Sequence, residues 1–313
     1  MVKMLKTLEG MTFVDLFAGI GGFHLAFESL GAKCVYASEL DRTARQIYEK
    51  NFRMVPDGDI TKISAMDIPD HNILCAGFPC QAFSISGKKK GFEDSRGTLF
   101  FEVARIVNIK HPDIVVLENV RNFAMHDHGH TMKVVRDVME ALGYTVYAKV
   151  LNASDYGVPQ KRERIYIVCF KRDVPFAFPE PFKLEKHVED CLIDEKLVQH
   201  LYVDRKITWN GVEEKYSKKP LRLGIVEQGR QGERIYSTKG TAITLSAFGG
   251  GVFAKTGGYK IGNKARRLHS RECARLMGFP DSFQLPENAY KYLGNSVVVD
   301  VLQYIGESIG KAI

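Results

Sequence analysis

The chain has 313 residues, 45% of them hydrophobic and 26% charged, which excludes disordered, collagen-like and low-complexity classes and leaves length for a large core and two domains. No stretch approaches the roughly 18 apolar residues of a membrane span, and Met1 to Gly10 carries lysines without an apolar h-region, so a cytoplasmic protein with no membrane contact is expected. The net charge of +7 suits a polyanionic partner without requiring one.

The first strand is expected over Thr12 to Phe17, followed by Ala18-Gly19-Ile20-Gly21-Gly22 and an amphipathic helix through Phe23, Phe27 and Leu30 that stops at Gly31. Strand, glycine turn and helix open a doubly wound α/β sheet, and the helix N-terminus offers amides to a carboxylate. The spacing G-x-G-G is not the G-x-G-x-x-G that suits a pyrophosphate. A second strand, Lys33 to Glu39, ends in a carboxylate about twenty residues past the glycines, where this fold holds a ribose diol. Asp59, after the turn at Asp57-Gly58, is placed to accept from an exocyclic amine. A carboxylate-seeking helix end with ribose and base sites suits S-adenosylmethionine.

Ile73 to Ala76 forms the next strand and delivers Phe78-Pro79-Cys80 onto a loop. Pro79 fixes its own φ and pushes Phe78 toward extended backbone, so Cys80 is presented on a stiff approach, as a nucleophilic thiol needs. Cysteines 34, 75, 80, 169, 191 and 273 form no C-x-x-C pair, which argues against a zinc site or a disulfide framework, and no metal is expected. Asp113 to Leu117 reads as a strand whose all-apolar run, Ile114 to Leu117, is covered on both faces, with Glu118 emerging at the same carboxyl edge as Cys80. A partly buried carboxyl there suits hydrogen bonding to a ring nitrogen. The loop Gly157 to Arg164 leads into a strand, Ile165 to Phe170, and alternation puts Arg162 and Arg164 on one face. Two guanidiniums on one face can clamp a phosphate or hold a carbonyl oxygen.

Beyond Phe170, Pro175, Pro179 and Pro181 break the pattern, and 186–268 reads as short strands rich in glycine. A helix from Arg271 to Met277 and a last one from Val298 to Ile309 complete the chain. The domains expected are 1–185 with 295–313, a smaller mostly β domain at 186–268, and a hinge at 269–294.

Five ordered motifs, Phe17-Ala18-Gly19-Ile20-Gly21-Gly22, Gly77-Phe78-Pro79-Cys80-Gln81, Glu118-Asn119-Val120, Gln160-Lys161-Arg162-Glu163-Arg164 and Gly294-Asn295-Ser296-Val297, resemble those of the DNA cytosine-5 methyltransferases along nearly the whole chain. The resemblance is closest to a bacterial branch that modifies GCGC. It implies Cys80 adding to carbon 6 of cytosine, Glu118 hydrogen-bonding N3 and the amino group, Arg164 gripping O2, and Arg162 supporting the cysteine loop or the flanking phosphate. It implies S-adenosylmethionine bound by Phe17, Gly19, Gly22, Glu39, Asp59, Ile60 and Pro79, with Asn295 and Val297 closing the methionine end.

The partner implied is double-stranded DNA, with the target base turned out of the stack. The basic segment Gln81 to Gly97 resembles a closing lid, with Ser86 entering the minor-groove side. Arg230 to Thr238 and Thr241 to Ser246 resemble target-recognition segments. In them Gln231 would fill the gap left by the flipped base, Arg234 would contact guanine, and Thr244 the flipped nucleotide's phosphate. A monomer in action is implied, with a companion endonuclease acting on the same site. In one departure, Leu40 stands after Glu39 where that branch has a tryptophan, removing an aromatic contact worth roughly 0.5–1.5 kcal/mol. A nicotinamide oxidoreductase would share the turn and ribose holder but finds no hydride site here. A non-catalytic DNA-binding regulator would not need Cys80 beside Glu118. A tRNA-methylating relative would hardly need a domain at 186–268.

Overall fold

The computed structural model describes residues 6–79 and 99–313. Cys80, Ser86 and the expected lid lie outside them. The described chain forms two compact units, one drawn from Met1–Leu151, Glu163–Pro179 and Leu302–Ile313, the other from Asn152–Arg162 and Glu180–Val301. These clusters run differently from the expected boundaries: the helix-rich stretch after 268 and the short segment before Glu163 group with the β-rich part of the chain.

The first unit is a six-stranded sheet of β1 (Thr12–Leu16), β2 (Lys33–Ser38), β3 (Ile73–Gly77), β4 (Ile114–Val120), β5 (Thr145–Asn152) and β6 (Glu163–Phe170), in the order β2-β1-β3-β4-β6-β5. Strands β1 to β4 pair in parallel, whereas β6 runs antiparallel to β4. The sheet is therefore mixed, and the expectation of a doubly wound, mostly parallel sheet holds for its first four strands. Period-2 alternation sorts the side chains. Val14, Leu16, Leu74, Ala76, Val115 and Leu117 share one core with Phe100, Val103, Val135 and Met139, which belong to α3 (Leu99–Lys110) and α4 (His130–Ala141). On the other face Phe13 packs on His24 and Phe27 of α1 (Gly22–Ser29). Coverage on both faces is why these strands read as unbroken apolar runs.

Between β2 and β3 lies α2 (Arg42–Phe52), started by the Asp41 carboxylate, which accepts from the Thr43 and Ala44 amides at 2.9 and 3.1 Å. Its buried residues are Ala44, Ile47 and Tyr48, at helical spacing.

The second unit holds a five-stranded sheet of β7 (Ile207–Trp209), β8 (Arg222–Val226), β9 (Arg234–Tyr236), β10 (Gly258–Ile261) and β11 (Lys264–Arg267), in the order β11-β10-β9-β8-β7. Only β9 and β10 pair in parallel among its described pairs. Val226, Ile235, Phe253 and Ala265 form its small core. It continues through α5 (Ser270–Arg275) and α6 (Tyr290–Asn295), and α7 (Val299–Ala312) begins in it. Three buried polar side chains stitch this unit. Arg266 and Glu272, both with fully buried side chains, pair at 2.8 Å through two hydrogen bonds. Gln160, also fully buried, accepts from the Leu245 amide and donates to the Leu276 carbonyl at 3.1 and 2.7 Å.

Candidate active site

Strand order reverses between β1, which has β2 on one side, and β3 on the other. The carboxyl ends of strands beside such a point form the binding crevice of open α/β sheets. The loop leaving β1 turns through left-handed backbone at Phe17 (φ 56°), Gly19 (φ 56°) and Gly21 (φ 89°), and Gly21 caps α1. A Cβ on Gly21 would run into the Phe52 ring, so glycine is required there on two counts. The Gly19 amide donates to Glu39 Oε2 at 2.8 Å, and Glu39 Oε1 accepts from the Asp41 amide at 2.7 Å. Glu39 thus ties the end of β2 to the turn. Each carboxyl oxygen retains a second lone pair, so both remain able to accept from a diol.

Beneath the turn lies a buried cluster that the sequence reading passed over. His24 Nδ1 and the Tyr48 hydroxyl are 2.6 Å apart, and the His24 ring stacks on Phe52 at 3.9 Å. Burial lowers the His24 pKa to about 4 and raises the Cys34 thiol to about 12. Asp15, fully buried in β1, is pushed well above the carboxylate range by desolvation, against the opposing pull of the His24 backbone amide. Apolar neighbours in strand and helix hide this cluster from periodicity, since only the three-dimensional pairing brings 15, 24, 34 and 48 together.

Asp59 caps a short 3-10 turn, Ile60–Lys62, accepting from the Thr61 amide at 3.1 Å and the Thr61 hydroxyl at 2.8 Å. Those hydrogen bonds hold its carboxyl below the usual pKa. One oxygen is therefore committed locally, and Ile60 beside it is buried in the sheet core. Leu40, next to Glu39, is 72% exposed.

At the end of β3, Phe78 is buried against Phe123 with ring centroids 5.6 Å apart, and Pro79 is exposed. The Asn119 carboxamide donates to the Phe78 carbonyl at 2.9 Å. Asn119 belongs to the Glu118-Asn119-Val120 motif but received no role from sequence. It fixes the backbone two residues before Cys80. Glu118 lies inside β4 rather than beyond it, opposite Gly77 on one side and Tyr166 on the other. Its carboxylate stands 3.2 Å from Arg164 Nε, with both side chains largely buried. The geometry places a carboxylate and a guanidinium on neighbouring strands at the carboxyl end of β4.

Arg162 does not join Arg164. It lies one residue before β6 begins, so the expected alternation does not start until Glu163. It is 2% exposed, and its guanidinium donates to the carbonyls of Leu245, Gly294 and Ser296 at 3.2, 3.1 and 2.6 Å. Those acceptors all belong to the second unit. In that unit Asn295 is exposed at the end of α6, and Val297 is 7% exposed. Gln231 is exposed at the start of a 3-10 turn, Gln231–Glu233, and Arg234 Nε donates to the Gly229 carbonyl at 3.3 Å. The Thr244 hydroxyl donates to the Lys161 carbonyl at 2.6 Å.

Residues 11–311 match the family model described as C-5 cytosine-specific DNA methylase. The chain belongs to that family. It is 58% identical to the Type II methyltransferase M.HhaI of Haemophilus parahaemolyticus, covering 98% of this chain and 97% of the relative. It is 44% identical to the Type II methyltransferase M.NgoBI of Neisseria gonorrhoeae, over 93% and 90% of the two chains. Among solved structures, the Dnmt2 methyltransferase of S. pombe superposes with a TM-score of 0.72 at 22% identity, covering 95% and 97% of the two chains, a likeness of fold. The enzyme is thus a DNA cytosine-5 methyltransferase, and among its described residues no helix is long and apolar enough to cross a membrane.

Proposed function

We propose that this enzyme transfers the methyl group of S-adenosylmethionine to carbon 5 of a cytosine turned out of duplex DNA, and that its target is the inner cytosine of GCGC. The observation that carries the reading is the Glu118–Arg164 pair at the crevice, with Asn119 fixing the backbone that leads to Cys80. The other five cysteines are buried, and burial raises each of those thiols. None of them suits a nucleophile, which leaves that part to Cys80.

The turn through Gly19 and Gly22, with Phe17, Glu39, Asp59, Ile60 and Pro79, fits the cofactor: left-handed glycine backbone admits a close ligand, and Glu39 retains lone pairs for a diol. Asn295 and Val297 are proposed for its methionine end. Bound there, S-adenosylmethionine supplies an electrophilic methyl group on a sulfonium. The chain does the rest. The Cys80 thiolate adds to carbon 6, which makes carbon 5 electron-rich. Glu118 hydrogen-bonds N3 and the amino group, and Arg164 holds O2, so that charge developing on the ring meets fixed partners. Once carbon 5 has taken the methyl group, loss of its proton to a base and elimination across the 5,6 bond release Cys80. Arg162, with Arg164, is proposed as part of this machinery by holding the segments at 245 and 294–296.

In the second unit, Gln231, Arg234 and Thr244 are proposed to meet the DNA, with Ser86 entering on the minor-groove side, and the GCGC target rests on the resemblance of Arg230 to Thr238 and Thr241 to Ser246 to target-recognition segments. Modification of that site would protect host DNA from a matching endonuclease. The test is transfer of labelled methyl from S-adenosylmethionine to duplexes containing GCGC, GGCC or only CG and to tRNA, with Cys80→Ser alongside. Label in GCGC alone, lost in the variant, is expected. Label in another duplex would remove the target assignment and keep the chemistry. Label in tRNA and in no DNA would overturn the reading.

A further inference from the structure

The two segments of the second unit proposed to meet DNA are joined by a contact between backbones. Gly232 is the middle residue of the Gln231–Glu233 turn, and its carbonyl accepts from the Phe253 amide at 2.8 Å. A Cβ on Gly232 would collide with the Gly250 carbonyl oxygen, and a Cβ on Gly251 (φ 96°) would stand 2.8 Å from the Gly232 carbonyl oxygen. Both obstacles are main chain, so no rotamer change relieves them. The loop that Gly232 meets is closed on itself, because the Ser246 amide donates to the Lys255 carbonyl at 3.0 Å. Ser246 ends the second segment. A fixed distance from Gly232 to this loop is therefore a fixed distance from Gln231 to Thr244. Around the contact opens a cleft of about 160 Å³ lined in part by Gln231, Thr244, Ser246, Phe248 and Lys255, and Phe248 is 72% exposed.

We propose that Gly232 is a positioning residue for sequence specificity: its close approach to Gly250 and Gly251 holds the turn bearing Gln231 and the segment bearing Thr244 in one register against the DNA. The proposal rests on these segments reading DNA. Hydrogen bonds to base edges tolerate little displacement, whereas attraction to phosphate is insensitive to sequence. Loosening the contact should therefore cost discrimination more than it costs catalysis. A role confined to packing would lower activity on all duplexes alike.

The experiment compares kcat/KM on the duplex the wild type prefers with kcat/KM on duplexes changed at one base pair, for the wild type, Gly232→Ala, Gly251→Ala and Gly250→Ala. Gly250 is the internal control, since a Cβ there meets nothing within 4 Å and its φ lies outside the left-handed region. Gly232→Ala should lower the discrimination ratio at least tenfold while the cofactor KM stays within twofold. Gly251→Ala should lower it less, and Gly250→Ala by under twofold. Where Gly232→Ala fails to fold, judged by thermal unfolding and cofactor binding, Gly251→Ala carries the test. A wild-type ratio in the variant that folds overturns the proposal. So does an equal loss in Gly250→Ala, because added bulk on the loop would then be the cause. A wild type that methylates DNA without sequence preference overturns both this proposal and the reading on which it rests, while the identity of the target sequence does not affect the test.

Discussion

Glu118 and Arg164 form an ion pair held largely out of water, and such a pair is hard to break from one side. Replacing Arg164 with methionine should cost about 3 kcal/mol, because it leaves a carboxylate without its guanidinium in low dielectric. Urea unfolding reads that loss, and methyl transfer should fall with it. Two neighbouring groups under the glycine turn set opposite pH dependences. Burial holds His24 neutral, with a pKa near 4 against an ordinary 6.5, so the unfolded chain takes up its proton first and stability falls as pH drops from about 6.5 to 4. Asp15 has a raised pKa, so the unfolded chain loses its proton first and stability falls as pH climbs above about 4. In Asp15→Asn the second slope disappears, and stability should rise from pH 4 to 6.5 more steeply than in the wild type. Parallel unfolding curves for the two proteins at pH 5, 6 and 7 would remove Asp15 from this account. At this scale the motifs were legible and their geometry was not. Glu39 and Glu118 stand at the carboxyl ends of β2 and β4, but the Arg162 guanidinium donates to carbonyls more than eighty residues away, and nothing in a linear pattern announces them.

Among the elements, the strands read most clearly from sequence are those covered on both faces. The apolar runs that form β1, β3 and β4 leave little choice of structure. The edge strand β5 escaped because residues 148–150 are exposed and interrupt its alternation. Helix α2 escaped because only Ala44, Ile47 and Tyr48 among its eleven residues are buried, too sparse a seam for periodicity to declare. The antiparallel course of β6 is a property of pairing and leaves no mark on composition. In the second unit, a short sheet with a small core depends on buried ions. Glu272 takes two hydrogen bonds from Arg266 and further ones from the amides of His269 and Ile193, at 2.7 and 3.0 Å. Glu272→Ala takes the fully buried partner from the Arg266 guanidinium, which keeps the more exposed Glu195 at 3.1 Å, and should cost about 3 kcal/mol. Hydrogen exchange should locate the loss in β11 and α5, with the sheet of the first unit keeping its protection.

Over the whole molecule, nearly all of the +7 charge falls in the second unit. Its affinity for DNA should decline linearly in log K against log salt, and removing one lysine or arginine that touches phosphate should flatten the slope by about 0.9. Fluorescence anisotropy across salt concentrations checks this, and the substitutions that flatten the slope should cluster in that unit. The chain passes from one unit to the other after Leu151, Arg162, Pro179 and Val301. The second unit therefore depends on eleven residues that are remote in sequence, among them Gln160 and Arg162 with their five hydrogen bonds to residues 245–296. A fragment of 180–301 alone should be less protected from protease than the same unit in the intact chain. For recombination this means that the sequence-reading half is not a cassette. A crossover that exchanges 180–301 between two relatives leaves 152–162 behind in the recipient, so hybrids with a new target should survive only where the transferred loops accept the recipient's glutamine and arginine.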